Sequence, residues 1–359
     1  MSSGIFPIFT NLISAGKVLE LAKYTKELSK LFSSSENILL ICHLNPDGDA
    51  IGSQLALYHY LREKNRKVEM ISPNYLQEFL KWINGADRIN IFIRDREKCK
   101  KLIEKADLIL MLDFNQPSRM GEAENLVMAS GARKVIIDHH LDLDKFADLT
   151  ISDPSKCSTA ELIHELIMLI NGGPFLHKDF AEAIYIGIIT DTGNFEHGTY
   201  NSNTFRIVAD LVETGIETSN IIDRIYNNFS TDRMRLLGFA LNKKMVVIPE
   251  FRTAYISLTR DELNTYYHVK GDTEGFVNLP LSIRGIHFSA LFVEKDGFVK
   301  ISFRSKGNFP VNEFAAKYFS GGGHLNASGG EYPGTLENTV TYFLQILKEN
   351  AGRLNDENS

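Results

Sequence analysis

The sequence predicts an α/β protein: a parallel sheet with helices on both faces, followed by a smaller α/β domain with a mixed sheet. Two observations predict the first part. Short unbroken apolar runs alternate with amphipathic stretches from Ile38 to Ile170, and strands buried on both faces read as continuous apolar runs. Acidic and imidazole side chains stand where those runs end, at the edge where an open parallel sheet forms its ligand crevice. A third observation predicts the second part. After Gly215 the texture changes, and from Met245 onward the runs MVVIP, RTAYISL, FSALFVE and FVKISFR favour strands.

In chain order, residues 13–32 place Leu19, Leu21, Leu28, Leu31 and Phe32 at near-helical spacing. The first reading of this helix is packing on the body of the protein; the second is a contact between two copies, as in a homodimer. Strands follow at 38–42 (ILLIC), 67–72 (KVEMIS), 106–113 (ADLILMLD) and 134–138 (KVIID), with a helix at 50–64. Ser158 with Glu161 three residues on is a capping-box pattern, opening a helix that runs to 170 and stops at Gly172-Gly173-Pro174. These features divide the chain into a helical extension (1–34), a first domain (35–215), a helical connector (216–244), a second domain (245–350) and a polar, frayed tail (351–359).

The chain has 359 residues, 43% apolar and 23% charged, enough for a sizeable core and too apolar for disorder. Lys and Arg number 39 and Asp and Glu 45, a net charge of −6. Such a chain is a poor non-specific binder of long duplex DNA, which is driven by phosphate neutralisation. Residues 243–320 hold 11 Lys and Arg against 8 Asp and Glu, so the second domain is the better place to meet a phosphate. Three cysteines, Cys42, Cys99 and Cys157, form no C-x-x-C pair, which fits a reducing cytoplasm rather than a disulfide scaffold. The start, MSSGIFPIFT, lacks the basic region of a signal peptide, and no run of 18 apolar residues exists, so neither export nor a membrane span is expected.

Four segments carry the chemistry: His43-Leu44-Asn45-Pro46-Asp47-Gly48-Asp49, Asp113, Asp138-His139-His140, and Asp191 in IGIITDTGNF. A lone Asp after a strand is most often a cap or a turn residue, and Asp49 before the 50–64 helix could be only that. Adjacent ionisable groups just past a buried strand are harder to dismiss, because they are costly without a partner. Carboxylate and imidazole without thiolate suit Mn²⁺, Mg²⁺ or Fe²⁺ better than structural Zn²⁺. Asp47, Asp49, Asp113 and Asp191 would balance the charge of two divalent cations. Without cations they would repel one another.

These segments resemble the four motifs of the DHH phosphoesterase superfamily. The stretch Gly321-Gly322-Gly323-His324-Leu325-Asn326-Ala327-Ser328-Gly329-Gly330 resembles the GGGH signature of its DHHA1 domain. The resemblance covers about residues 35–350. It implies an active site in the cleft between the two domains and two divalent cations, usually manganese. His43, Asp47 and Asp113 would hold one cation. Asp49, Asp113, His139 and Asp191 would hold the other, with Asp113 bridging. His140 would face the scissile phosphate as a catalytic group beside Asp113, and Asp138 would orient its neighbours. Gly321, Gly322 and Gly323 would let backbone N–H groups approach a phosphate. His324, Arg304, Ser305 and Arg284 would complete substrate binding. Asn326 stands where relatives often carry alanine.

The activity implied is that of stand-alone DHH–DHHA1 enzymes, which cut short oligoribonucleotides of 2–5 nucleotides to mononucleotides and dephosphorylate pAp to AMP. The attack on phosphorus would come from a hydroxide held between two metals. The main alternative is a phosphodiesterase for cyclic di-AMP and linear dinucleotides. Three others rank lower: a family II pyrophosphatase, an exonuclease on long single strands, and a nucleotide-binding protein without catalysis. Against the last, every expected ligand is present.

Overall fold

A computed structural model describes residues 15–141, 144–196 and 198–354, and for residues 15–20 and 324 the backbone alone. The start of the extension (1–14), the end of the tail (355–359) and the His324 side chain lie outside what is described. The chain forms two compact units that divide after Asn228.

The first unit carries six strands: β1 (Ile38–Ile41), β2 (Val68–Ser72), β3 (Asn90–Ile91), β4 (Leu108–Leu112), β5 (Arg133–Asp138) and β6 (Leu149–Ser152). They lie in the order β3-β2-β1-β4-β5-β6, and every pair is parallel. The helices are α1 (Ala15–Ser34), α2 (Gly48–Glu63), α3 (Arg96–Lys105), α4 (Glu124–Ala129), α5 (Thr159–Asn171), α6 (Lys178–Asp191), α7 (Ser202–Glu213) and α8 (Thr218–Tyr226).

The strands are apolar on both sides because both sides are covered. Ile38 and Leu40 face a core shared with α1, α2, α5, α6, α7 and α8. Leu39 and Ile41 face a second core with Cys99 and Ile103 of α3 and Val127 of α4. Leu21, Leu28 and Phe32 of α1 are buried in the first of these cores. Helices α2 and α6 approach closely. A Cβ at Gly52 would lie 2.5 Å from the Ala183 carbonyl oxygen, and α6 is as close to α5, where one at Gly187 would lie 2.4 Å from the Ala160 Cβ.

The second unit has six strands: β7 (Met245–Ile248), β8 (Thr253–Leu258), β9 (Phe288–Glu294), β10 (Phe298–Ser305), β11 (Gly322–His324) and β12 (Ala327–Pro333). Their order is β11-β12-β10-β9-β8-β7. The sheet is mixed: β8 and β9 are parallel, the other pairs antiparallel. Its helices are α9 (Thr231–Phe239), α10 (Arg260–Thr265), α11 (Val311–Tyr318), α12 (Leu336–Glu349) and α13 (Ala351–Leu354). One face buries Phe288, Phe303, Phe314, Phe319 and Phe343 together; the other buries Ile256, Leu258, Leu291 and Val293 against Leu236. The stretch 216–244 is shared out rather than standing apart: Ile221 and Ile225 belong to the first unit's core, Leu236 and Ala240 to the second's. Cys42, Cys99 and Cys157 are buried and form no disulfide. No helix among the described residues is long and apolar enough to cross a membrane.

Candidate metal centre

Parallel strands β1, β4 and β5 end on one edge of the sheet. His43 lies two residues past β1, Asp113 directly follows β4, and Asp138 closes β5 with His139 and His140 behind it. Two details go beyond the sequence reading. Asp47, not Asp49, caps α2: its Oδ1 accepts the N–H groups of Asp49 and Ala50 at 3.1 and 3.0 Å. Asp49 therefore sits in the first helical turn, buried, and the cap explanation for it fails. Asp191, in an apolar run whose element the sequence left unassigned, arrives at the end of a helix, α6. The segment reads as apolar throughout because Ile184, Ile186, Ile188 and Ile189 are all buried, and a helix buried all round loses its polar face.

The groups converge. His43 Nε2 lies 3.5 Å from Asp113 Oδ2 and 3.7 Å from Asp47 Oδ1. His139 Nε2 lies 3.2 Å from Asp191 Oδ2, 3.8 Å from Asp113 Oδ1 and 3.9 Å from Asp49 Oδ2. His140 Nδ1 lies 2.7 Å from Asp138 Oδ1 and 3.7 Å from Asp113 Oδ1. Three sets of ligand atoms each fit within 4.8 Å: His43, Asp47 and Asp113; Asp49, His139 and Asp191; Asp113, His139 and His140. Asp113 thus belongs to two sets and is close to the third. Its backbone is left-handed, with φ 66°, a conformation Asp tolerates better than most residues. Its N–H still donates to the Ile137 carbonyl at 3.0 Å.

The electrostatics are those of a cluster holding too much negative charge in too little water. Burial, reinforced by Asp113 and Asp191, pushes the Asp49 carboxyl well above its usual range. Burial raises Asp191 as well, with Asp113 adding to it and His139 opposing. Burial works against charge on His43, yet Asp113 and Asp47 outweigh it and hold the imidazole up to about 10. His140 is likewise held up to about 9, by Asp138 against burial. Divalent cations would relieve this repulsion, and a donor set of carboxylates and imidazoles without thiolate fits them.

Behind this cluster stand residues the sequence reading passed over. Thr159 and Ala160 donate their N–H groups to Asp49, and the Thr159 hydroxyl donates to Asp113. Lys156 and Glu165 form a buried ion pair at 2.5 Å. The available signal was Glu161, His164 and Glu165 in the otherwise apolar run TAELIHELIMLI.

In the second unit the expected substrate groups come from different elements. Arg304 lies near the end of β10, partly buried, with Nη1 donating to the Phe303 carbonyl at 2.8 Å. Arg284 is exposed. The Ser305 hydroxyl is committed to its own loop: it donates to the Phe309 carbonyl at 2.7 Å and accepts from Asn326 Nδ2 at 2.9 Å. Asn326 also donates to the Gly307 carbonyl, so it ties two turns together. The Gly321 N–H donates to the Ala315 carbonyl at 3.2 Å, and a Cβ at Gly321 would lie 2.0 Å from the Gly329 carbonyl oxygen. Close strand packing alone requires glycine there. Gly323, with φ 143°, is held in the same way against Ala327. Gly322 faces open space.

Residues 37–188 match the DHH family, N-terminal domain, and residues 266–352 match the DHHA1 domain. The bifunctional oligoribonuclease and PAP phosphatase NrnA of Bacillus subtilis is 29% identical over 304 residues, 84% of this chain and 91% of that protein. The crystal structure of an exopolyphosphatase-related protein from Bacteroides fragilis is 42% identical, with a TM-score of 0.90 over 93% of this chain and 98% of that one. RecJ from Thermus thermophilus, solved in complex with Mn²⁺, is 13% identical and covers 94% of this chain and 55% of that one with a TM-score of 0.54, a likeness of fold.

Proposed function

The chain belongs to the DHH family of phosphoesterases, and on that premise we propose that it hydrolyses short oligoribonucleotides to mononucleotides and pAp to AMP at a centre for two divalent cations. The observation that carries the proposal is the pair of three-residue ligand sets, His43–Asp47–Asp113 and Asp49–His139–Asp191, with Asp113 Oδ1 only 3.8 Å from His139 Nε2. That spacing suits Asp113 to both sets at once. The NrnA likeness supports the choice of substrate. The RecJ likeness makes Mn²⁺ the first ion to test, with Mg²⁺ and Fe²⁺ next.

When bound, the cations supply an activated water nucleophile and neutralise charge on the phosphoryl oxygens. The remaining roles fall to the chain's own groups. His140 donates Nδ1–H to Asp138 Oδ1 at 2.7 Å; with that carboxylate keeping the ring protonated, it is the group we assign to face the phosphate and to give a proton to the departing oxygen. Asp138 fixes that ring. By the resemblance, Arg304, with a planar fork suited to a phosphate, would take the terminal phosphate together with His324, Arg284, Gly322 and Gly323, while the Gly321 N–H is already given to the Ala315 carbonyl. Ser305 supports the loop beside Arg304 rather than touching the phosphate.

The test is product analysis with Mn²⁺, with and without prior chelation, on an RNA dinucleotide, pAp and cyclic di-AMP. Mononucleotide from the first and AMP from the second, both abolished by chelation, are expected. Preferential opening of cyclic di-AMP would move the protein to second-messenger breakdown. No turnover of any of the three, with nucleotide still bound, would overturn the enzymatic reading.

A further inference from the structure

We infer that segment 156–160 is a clamp that sets the centre before any cation arrives, with Lys156 and Thr159 as its positioning residues. The inference rests on the reading above, that this cluster takes divalent cations. Three of the six expected ligands are addressed from this one stretch. The Lys156 carbonyl lies 3.2 Å from His139 Nδ1. A carbonyl only accepts, so Nδ1 carries the hydrogen, and the lone pair of the neutral ring is on Nε2. Nε2 is the atom 3.2 Å from Asp191, 3.8 Å from Asp113 and 3.9 Å from Asp49. Thr159 gives its hydroxyl to Asp113 Oδ1 at 2.9 Å and its N–H to Asp49 Oδ2 at 2.7 Å. Ala160 gives its N–H to Asp49 Oδ1 at 2.9 Å. Both oxygens of Asp49 and one of Asp113 are therefore oriented by α5.

Helix capping accounts for only part of this. The Ser158 hydroxyl accepts the Glu161 N–H at 3.0 Å and Asp49 takes the first two free N–H groups of α5, but capping does not place the Thr159 hydroxyl on Asp113 or the Lys156 carbonyl against His139. Glu161 itself turns to the Cys157 N–H and the Thr204 hydroxyl. What holds the Lys156 carbonyl in place is costly. Lys156 is 5% exposed and Glu165 is fully buried; they pair at 2.5 Å, and Asn203 donates to the other Glu165 oxygen at 2.7 Å. The Thr199 hydroxyl donates to the same Lys156 carbonyl at 3.0 Å. A pair of apolar side chains would fill such a space at least as stably. The buried pair instead anchors one particular backbone position, from which a carbonyl fixes the tautomer of His139. There is also no slack beside Asp49, since a Cβ at Gly187 would lie 2.8 Å from its Oδ1.

The test is Mn²⁺ binding to the chelator-stripped protein, read by calorimetry and by the spin-resonance signal of free Mn²⁺. Thr159→Val removes only the hydroxyl, and Thr159→Ser restores it. Outer partners of metal ligands typically contribute 10–100-fold in affinity, so Thr159→Val and Lys156→Met should each weaken Mn²⁺ by about 10–100-fold while Thr159→Ser stays within about threefold of the parent. KM for an RNA dinucleotide at saturating Mn²⁺ should stay unchanged. If Lys156→Met fails to fold because Glu165 is left alone, Lys156→Met with Glu165→Leu removes both charges and should still bind Mn²⁺ weakly. Parent-like affinity in Thr159→Val and in the Lys156 variants would overturn the clamp. Failure of the parent protein to take up Mn²⁺ would instead overturn the metal reading itself.

Discussion

In the first sheet all six strands run the same way, so β1, β4 and β5 deliver His43, Asp113 and Asp138–His140 to a single edge. In the second, only β8 and β9 are parallel. Arg304 leaves from a strand end, Arg284 from the loop before β9, and Gly321–Gly323 from a hairpin edge. The cores differ too. The parallel sheet is packed by Ile, Leu and Val on both faces, whereas one face of the mixed sheet is a cluster of phenylalanines with Phe303 within 5.3–6.3 Å of Phe288, Phe314, Phe319 and Phe343. A parallel sheet gathers chemistry at one end by topology alone, because every strand's carboxyl end points there. A mixed sheet has no such end, so the groups proposed for substrate are scattered over a strand end, a loop and a hairpin, and the glycines at 321 and 323 are engaged in strand packing.

The first way to test this contrast is to remove the residue that joins the ligand sets. Asp113→Asn should lower kcat on an RNA dinucleotide by at least about a thousandfold, since metal-borne charge stabilisation amounts to several kcal/mol. Retention of parent activity would sink the shared-ligand scheme. The second concerns the aromatic core. Phe303→Ala should cost about 3–5 kcal/mol, as truncation of a buried Phe generally does, read by denaturant unfolding. A loss below about 1 kcal/mol, the scale of a single methylene change, would mean the ring cluster is loosely packed.

A third prediction sharpens the difference in buried charge. Burial pushes the His164 imidazole down to about 4 from an ordinary 6.5. Between those values the unfolded chain takes up a proton that the folded chain refuses, so stability falls as pH drops through that window. At about 1.4 kcal/mol per pH unit the loss reaches about 3 kcal/mol. His164→Leu should flatten the stability profile between pH 6.5 and 4 by that amount; an unchanged slope would mean the ring is protonated while folded. The smallest effect belongs to the second unit. Arg304→Ala should raise KM by about tenfold, the value of one charge-assisted contact, and leave kcat nearly intact. An unaltered KM would remove Arg304 from the substrate site.

Much of the centre was legible without the fold. The runs ILLIC, LILML and KVIID are apolar enough to read as buried strands, and polar ligands follow each at once. The short strand Asn90–Ile91 and the strand Leu149–Ser152 escaped the reading because two to four residues carry no periodicity. The glycines at 321 and 323 were read as a phosphate cradle. The structure supplies a nearer reason for them in carbonyl oxygens 2.0 and 2.6 Å from where a Cβ would sit.

The sequence by itself determined the α/β class, the second strand-rich part, and the placing of His43, Asp113 and Asp138–His140 where apolar runs end. Each rests on local pattern, either an apolar run or the residue that ends one. Only the tertiary structure decided that Asp47 is the cap while Asp49 faces inward, that Asp191 comes in on a helix, and that Thr159 and the Lys156 carbonyl meet Asp49, Asp113 and His139. Those outcomes depend on contacts between segments as far as 110 residues apart, such as the Thr159 N–H on Asp49. Which donor a buried carboxylate finds is set by how the helices close over the sheet, and no local pattern records that.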